Sequence, residues 1–262
     1  MQTRRALFRL PDYADTGVRV ANWHDDKDAN PEELGDYVEG DILYPPTMAR
    51  NGLKSLSARW PDAVVPYAIS PRFNETQRGI IFAAMNDFHQ QTCVRFKPYS
   101  GKESDFLNLT AGKSGCWSSV GRIGGRQDVN LQAPSCVQKK GTVLHELMHA
   151  LGFLHEHSRY ERDDYVEINW KNIKSGKETN FEKSNRKATF ALGVGYDYGS
   201  ILHYSSRAFS HNGKPTIRST DREGLLGFFK DFFNVKEKKL GQREELSSKD
   251  IKKIRKMYKC YR

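Results

Sequence analysis

The stretch HELMHALGFLHEH, residues 145–157, places four histidines and two glutamates in an otherwise apolar run. Unpaired imidazoles and carboxylates are costly in an apolar interior, so a segment patterned for burial needs something that compensates them. On a helix, His145 and His149 lie at positions i and i+4, where side chains are neighbours on one face. Two imidazole nitrogens can therefore meet one cation, and the segment predicts a metal site.

Three further residues of this stretch define the kind of metal site. Gly152 allows the backbone to leave the helix sharply, because glycine adopts conformations that a residue with a Cβ resists. That turn returns His155 to the same cation, and three nitrogens leave a coordination position open, as in catalytic rather than structural zinc sites. Glu146 is predicted to take a proton from water without binding the metal. The alternative is a buried helix with incidental histidines, and the added glycine and third histidine make it the weaker interpretation.

The charge of the chain is unevenly distributed. Its formal net charge at pH 7 is +10, yet residues 1–50 carry a net charge of −4 and the remainder carries +14. An acidic leader docked on a basic body explains this polarity at least as well as nucleic-acid binding does. A module that binds nucleic acid or anionic glycans stays an alternative, although most lysines of KDIKKIRKMYK fall on the polar face of one predicted helix. No apolar run approaches the about 18 residues of a membrane span, so a soluble protein is expected.

The cysteines and sequons bear on the compartment. The chain has four cysteines, Cys93, Cys116, Cys136 and Cys260. An even number favours disulfides, and four cysteines allow three pairings. Two sequons, at Asn74 and Asn108, would accept glycans in the secretory pathway. These features favour an oxidising compartment. The start of the chain, MQTRRALFRLPDYAD, has no apolar segment typical of a signal peptide, and this argues against secretion.

The apolar pattern predicts strands and helices first and a looser second half. Strand-like runs fall at residues 63–70, 94–99, 106–110 and 128–133. Asn74 can cap a helix with Gln77 three residues on, and Thr142 can cap the helix that carries the histidines. Beyond about residue 160 the chain is rich in loops until Ser247 opens a final amphipathic helix. The first fifty residues, interrupted by prolines, are predicted to be extended.

The segment HELMHALGFLHEHSRYERDDYV closely resembles the zinc signature of the astacin family of metzincin endopeptidases. The resemblance covers residues 60–260: WPDAVVPY resembles the first strand of the family, SGCWSSVGR its substrate-binding edge strand, YDYGSILHYSSRAFS its second-lobe turn, and GQREELSSKDIKKIRKMYKC its closing helix. It implies an α+β fold of two lobes with an active-site cleft between them. The N-terminal lobe would hold a twisted sheet with two helices, and the loop-rich C-terminal lobe would end in a helix.

The resemblance assigns roles to residues of the metal site. The implied zinc ligands are the three histidines of the signature, His145, His149 and His155. Glu146 is the implied general base, and Tyr204 an implied further ligand or oxyanion stabiliser. Three nitrogens and a water already fill a zinc shell, so three other histidines are predicted not to bind the metal: His157, His203 and His211.

The resemblance also implies disulfides and substrate-binding residues, and the sequence departs from the family pattern at two positions. The implied disulfides are Cys93–Cys260 and Cys116–Cys136, and the implied substrate-binding residues are Cys116, Trp117, Gly121 and Arg122. Leu202 stands where the family has a methionine under the zinc, and swaps of these two residues usually cost under about 1.5 kcal/mol. Glu161 replaces an aspartate of the family and lengthens a structural ion pair. Neither departure removes a group that the chemistry needs.

The leader carries a second resemblance. DYVEGDILYPP, residues 36–46, resembles the astacin propeptide motif, in which an aspartate occupies the open zinc position. That aspartate is here Asp41, and Val38 stands at the phenylalanine position of the family. The alternative is that Gly40 and Asp41 form a simple turn. The leader therefore predicts a zymogen.

Activation would follow from cleavage of the leader. Arg50 followed by Asn51 is a natural tryptic site, which implies a trypsin-like activating protease. The predicted organisation is a propeptide over residues 1–50 and a catalytic domain over 51–262, with lobes at 51–152 and 153–262. Glu156, after the third histidine, is implied to meet the new amino terminus.

The predicted function is hydrolysis of internal peptide bonds by a secreted zinc endopeptidase with one Zn²⁺ per chain. The expected partners are protein or peptide substrates and the activating protease, with no nucleic acid and no membrane span. A zinc-bearing pseudoenzyme that binds partners is the alternative that Leu202 keeps open. The apolar run EGLLGFFKDFFNV, residues 223–235, is predicted to pack in the second lobe's core; the alternative is an exposed rim that grips substrate.

Overall fold

The computed structural model describes residues 13–25, 29–43, 56–184, 192–220 and 238–260. Two sequence predictions lie outside the described residues, namely the cleavage site at Arg50 and Asn51 and the apolar run at 223–235. Both stay predictions. Within the described part of the chain, no helix is both long enough and apolar enough to cross a membrane.

A five-stranded sheet organises the first lobe. In chain order its strands are β1 (Val64–Ile69), β2 (Arg95–Pro98), β3 (Phe106–Thr110), β4 (Cys116–Ser118) and β5 (Arg126–Leu131). The spatial order is β2-β1-β3-β5-β4, in which β4 alone runs antiparallel and lies at the edge. The four predicted strand runs are all present, with ends shifted by no more than two residues.

Two helices pack with this sheet around one apolar core. They are α2 (Glu75–Gln91) and α3 (Lys140–Ala150). The predicted cap of α2 is confirmed, because Asn74 Oδ1 accepts a hydrogen bond from the Gln77 N–H at 2.9 Å and the Gln77 side chain accepts one from the Asn74 N–H at 3.1 Å. The buried face of α2 contains the predicted apolar residues, Ile81, Met85 and Phe88.

The start of α3 differs from the sequence prediction. The helix begins at Lys140, and the hydroxyl of Thr142 is buried without a hydrogen-bond partner among the described residues. Thr142 is therefore not the cap. Gly141 lies so close to the backbone of Arg243 that a Cβ at this position would collide with it, so tertiary packing sets the first turn. The predicted end of the helix is confirmed, since Gly152 follows it with a φ of 106°.

The second lobe has little regular structure, as predicted. Its two short strands, β6 (Val166–Ile168) and β7 (Ile217–Ser219), pair antiparallel, and short 3₁₀ turns connect much of the rest. A second apolar cluster, which includes Phe181 and Tyr204, forms the core of this lobe.

The closing helix α4 (Ser248–Met257) is the last helix of the described residues. Its predicted cap is confirmed, because Ser247 Oγ accepts a hydrogen bond from the Asp250 N–H at 2.9 Å. A disulfide between Cys93 and Cys260 joins the segment after this helix to the segment between α2 and β2, with an S–S distance of 2.02 Å. The closing helix is thereby linked covalently to the first lobe.

The leader contains a helix, α1 (Ala14–Ala21), which the sequence does not predict. The prediction of an extended segment is wrong over these residues. Eight residues with a glycine and two valines have weak intrinsic helix preference, and such a short helix needs packing to be stable. Gln132 Nε2 donates to the Gly17 carbonyl at 2.8 Å, and Ser135 Oγ donates to the Val20 carbonyl at 2.7 Å. Long-range contacts of this kind are invisible in the local sequence.

Candidate active site

Helix α3, the turn after it and the leader bring four side chains to one buried point. His145 and His149 come from α3, His155 follows the Gly152 turn, and Asp41 comes from the leader. One ligand atom from each of the four lies within 4.8 Å of the other three. The sequence prediction that these four residues meet is consistent with this geometry.

The separations of these atoms suit a tetrahedral metal site. Asp41 Oδ2 lies 2.9 Å from His145 Nε2, 3.3 Å from His155 Nε2 and 3.7 Å from His149 Nε2. The Nε2 atoms of His145 and His149 are 3.0 Å apart. Ligand atoms about 2.0–2.1 Å from a tetrahedral Zn²⁺ lie about 3.3–3.4 Å from one another.

The outer nitrogens of the three imidazoles are held by other groups. Nδ1 of His145 lies 2.8 Å from the Ile201 carbonyl, and Nδ1 of His149 lies 2.7 Å from the Phe153 carbonyl. Nδ1 of His155 lies 2.7 Å from a carboxylate oxygen of Glu39. Partners of this kind orient ligating histidines and leave Nε2 for the metal.

The donor set fits zinc. Three imidazole nitrogens and one carboxylate are ligands that Zn²⁺ prefers. Asp41 Oδ1 is buried without a hydrogen-bond partner among the described residues, so this carboxylate is not satisfied by the protein alone. Burial would raise the pKa of Asp41, but His155, His149 and His145 hold it well below its usual range. The site therefore presents a carboxylate anion amid three histidines.

Glu146 is buried beside the histidines, and neither of its carboxylate oxygens has a hydrogen-bond partner in the described part of the protein. Burial, with the nearby Asp41 and Glu32 carboxylates, raises the pKa of Glu146 well above its usual value. A buried carboxyl group without a partner is destabilising. Its position next to the histidines is consistent with the predicted role as a proton acceptor.

Tyr204 borders the same point from the second lobe. Its ring centroid lies 4.8 Å from that of His155, and it stacks on His157 with a centroid distance of 3.7 Å. Its hydroxyl donates a hydrogen bond to the backbone carbonyl of Glu39. The leader thus engages the hydroxyl that was predicted to stabilise an oxyanion.

The leader also covers the edge strand β4. Ser118 N–H donates to the Asp41 carbonyl at 2.9 Å, and Leu43 N–H donates to the Ser118 carbonyl at 2.9 Å. Ile42 and Ser118 pair in a parallel bridge. The backbone edge that was predicted to bind an extended substrate is therefore used by residues 41–43.

The four predicted substrate-binding residues occupy different environments. Cys116 and Trp117 lie on β4 itself. Gly121 and Arg122 lie beyond its end, where the Gly121 N–H donates to the His149 carbonyl at 2.8 Å. Arg122 pairs with Asp105 and donates to the Ser57 carbonyl at 2.7 Å. These contacts connect Arg122 to neighbouring loops, and its role in substrate binding stays a prediction.

The other residues considered from sequence have structural partners. The second disulfide joins Cys116 and Cys136, as implied. The three histidines that were predicted not to bind the metal have protein partners: His157 bonds to the Asn180 carbonyl, His203 to the Tyr196 hydroxyl, and His211 to the Lys171 carbonyl.

Two glutamates after the metal signature take part in ion pairs. Glu161 pairs with Arg159, which agrees with the predicted structural ion pair. Glu156 pairs with both Arg159 and Lys253 and accepts a hydrogen bond from the Asp197 N–H at 2.8 Å. In this structure Glu156 is therefore neutralised by two side-chain cations, and its contact with a new amino terminus stays a prediction.

Sequence reasoning missed several leader residues that contact the site and its surroundings. Glu39 reaches His155 and Tyr204, Glu32 pairs with Arg243, and Glu33 bonds to Ser205. The acidic leader and basic body indicated docking, but no local pattern identified the partners.

Comparison with known proteins tests the resemblance. The sequence model of the peptidase family Astacin matches residues 52–259 of the chain. This chain belongs to the astacin family. The match covers the described sheet, both helices of the first lobe and the closing helix.

Individual astacin-family proteins are similar over most of this chain. Zinc metalloproteinase nas-13 of Caenorhabditis elegans is 41% identical over 211 residues, which cover 80% of this chain and 43% of that protein. Zinc metalloproteinase nas-4 of the same organism is 38% identical over 237 residues, covering 87% of this chain and 70% of that protein. The chain thus spans less than half the length of the first of these relatives.

A solved astacin-family structure supports the fold. High choriolytic enzyme 1, a hatching enzyme zinc-protease from Oryzias latipes (medaka fish), superposes with a TM-score of 0.66 and 35% sequence identity. The superposition covers 78% of this chain and 94% of that chain. The predicted α+β fold of the astacin type is confirmed.

Proposed function

We propose that this astacin-family chain is a zinc endopeptidase made as a latent precursor. The observation that carries the proposal is the convergence of His145, His149 and His155 at one buried point next to Glu146. The relatives support it, since they are described as zinc metalloproteinases and a hatching enzyme zinc-protease. The metal is one Zn²⁺, held by the three histidines.

The metal and the residues around it have separate roles in peptide hydrolysis. Bound Zn²⁺ supplies Lewis-acid chemistry, which acidifies water and polarises a carbonyl group. Glu146 accepts the proton of the attacking water and passes it to the leaving amine. The hydroxyl of Tyr204 donates a hydrogen bond to the oxyanion that develops on the carbonyl oxygen.

The substrate is an extended segment of a protein or peptide. β4 is an edge strand, and an edge strand can bind a peptide as an added strand through backbone hydrogen bonds. The leader already pairs with Ser118 in this way, which supports the view that β4 accepts an extended chain. Affinity of this kind depends on the backbone and imposes little sequence preference.

The leader, residues 1–50, keeps the precursor inactive. Three contacts of the leader support this role: Asp41 lies among the three histidines and would take the coordination position of a reacting water, Glu39 accepts a hydrogen bond from Tyr204, and residues 41–43 pair with β4. Cleavage after Arg50 by a trypsin-like protease would release the catalytic domain, residues 51–262, with its lobes at 51–152 and 153–262. Amino-terminal sequencing of the tryptic product should then begin at Asn51.

The chain acts in an oxidising, extracellular compartment. Both disulfides support this assignment, because such bonds persist mainly outside the cytosol. Asn74 is exposed and available for glycosylation. Asn108 lies on the inner strand β3, where its side-chain nitrogen donates to Asp128 at 2.8 Å. We therefore expect a glycan at Asn74 and none at Asn108.

The alternative of a pseudoenzyme has no support here. Leu202 packs in the core, and Glu146, Tyr204 and the three histidines are all present and buried. The relatives of this chain are described as proteinases rather than binding proteins.

The proposal is tested by digesting casein and a peptide library with the trypsin-activated protein, with and without a zinc chelator. Cleavage at internal bonds, lost with the chelator and restored by Zn²⁺, is the expected result. Zinc-loaded, trypsin-activated protein that leaves every substrate intact would overturn the endopeptidase assignment.

A further inference from the structure

Glu39 lies in the leader turn that carries Asp41. A bridge between Val38 and Ile42 closes this turn. Glu39 has a φ of 49° and Gly40 a φ of 88°, both in the left-handed region. Residues other than glycine seldom adopt this conformation because of steric cost. Contacts with the rest of the protein must therefore favour this conformation of Glu39.

Two hydrogen bonds connect Glu39 to the metal site. The hydroxyl of Tyr204 donates to its backbone carbonyl. Its carboxylate oxygen Oε2 lies 2.7 Å from Nδ1 of His155. Because an ionised carboxylate only accepts hydrogen bonds, Nδ1 is the donor. The Glu39 side chain is 12% exposed, so this bond is largely shielded from water.

The partner of Nδ1 distinguishes His155 from the other two histidines. His145 and His149 form hydrogen bonds through Nδ1 with the carbonyls of Ile201 and Phe153, which belong to the proposed catalytic domain. Nδ1 of His155 has no other hydrogen-bond partner among the described residues than Glu39. Removal of the leader therefore deprives one of the three histidines of its outer partner.

We propose that Glu39 is a positioning residue for His155, through which the leader increases metal retention by the uncleaved chain. The inference rests on the proposed zinc site. A carboxylate on the outer nitrogen of a ligating histidine fixes the orientation of the ring and raises the basicity of the other nitrogen; its loss typically costs about 10–100-fold in metal affinity. Cleavage removes Glu39 together with Asp41, so the chain holds the metal most tightly before activation.

The test measures how fast zinc leaves the uncleaved full-length chain when an excess of a colorimetric chelator is added. Glu39→Ala should release zinc about 10-fold faster than the parent, or more. Glu39→Gln retains an acceptor oxygen for Nδ1 and should release zinc at a rate between the two. Asp36→Asn is the matched control, because Asp36 pairs with Arg19 and Lys177 but contacts none of the three histidines.

The outcomes separate this inference from the zinc site on which it rests. Equal release rates for the parent and Glu39→Ala would overturn the inference. It would also be overturned if Asp36→Asn released zinc as fast as Glu39→Ala, because looser docking of the leader would then explain the effect. A parent chain that binds no zinc would overturn the proposed metal site itself.

Discussion

Glu32 of the leader and Arg243 of the second lobe form an ion pair whose side chains are 0% and 1% exposed. The adjacent Glu33 accepts hydrogen bonds from the N–H and the hydroxyl of Ser205, each at 2.6 Å. Buried pairs are screened by salt much less than exposed ones. These buried contacts therefore attach the acidic leader to the basic body, and salt should weaken them little.

Glu32→Gln in the uncleaved chain tests this attachment. Removal of one partner of a buried pair costs about 3–5 kcal/mol, which corresponds to a melting temperature lowered by roughly 10 °C in a protein of this size. Thermal unfolding followed by circular dichroism measures the change. The matched control is Asp25→Asn, because Asp25 is a leader carboxylate that pairs with Lys139 and is 52% exposed. It should shift the melting temperature by under about 2 °C, and an equal shift in both variants would contradict the expectation.

Asp41→Ala should give activity to a chain that still carries its leader. The Asp41 carboxylate lies 2.9 Å from His145 Nε2, so its removal opens the position that a reacting water needs. The variant is made together with Arg50→Ala to keep the leader attached, and is assayed with a short fluorogenic peptide. Arg50→Ala alone should be silent. A zinc-loaded double variant as inert as this control would show that Asp41 does not maintain latency.

The sequence predicted the metal site because its determinants are local. His145 and His149 are one helical turn apart, and Gly152 turns the chain towards His155, so spacing alone brings the three together. The leader contacts could not be predicted in this way. His155 and Glu39 are 116 positions apart in the chain, and Arg243 and Glu32 are 211 apart.

The errors in the secondary-structure predictions arise where tertiary contacts outweigh local preferences. Thr142 has the chemistry of a helix cap, but the close approach of Arg243 to Gly141 determines where α3 begins. Residues 14–21 lack strong helix preference, and packing against Gln132 and Ser135 stabilises α1. In both places a tertiary contact outweighs a propensity of at most about 1–2 kcal/mol.

Glu146→Gln should abolish most activity of the activated protein without loss of zinc. The variant keeps the shape of the side chain but removes the proton acceptor, and general-base catalysis contributes about 10²–10⁴-fold to the rate. Its melting temperature should not fall, because the carboxylate oxygens of Glu146 have no hydrogen-bond partner among the described residues. Casein digestion and zinc content are measured on the same sample. Parental activity in this variant would exclude Glu146 as the general base.

Leu202→Met should leave the site nearly unchanged. Leu202 is buried, and its carbonyl accepts a hydrogen bond from the Glu156 N–H at 3.0 Å, which any residue can maintain. A volume-conserving swap should change the free energy of unfolding by under about 1.5 kcal/mol, whereas Leu202→Ala should cost about 2–5 kcal/mol. Urea unfolding measures both. Much slower zinc release from the Met variant would show that leucine weakens the site.

Tyr204→Phe isolates the contribution of one hydroxyl group. The ring stacks on His157 at a centroid distance of 3.7 Å, and phenylalanine preserves this packing, so the variant should fold normally. Loss of a single oxyanion donor typically lowers kcat by about 10²–10³-fold, and KM for a peptide substrate should change little. Tyr196→Phe is the matched control, because the Tyr196 hydroxyl bonds to His203 at 2.8 Å rather than facing the metal site. Its kcat should remain near that of the parent, and an unchanged kcat in Tyr204→Phe would show that the oxyanion is stabilised by another group.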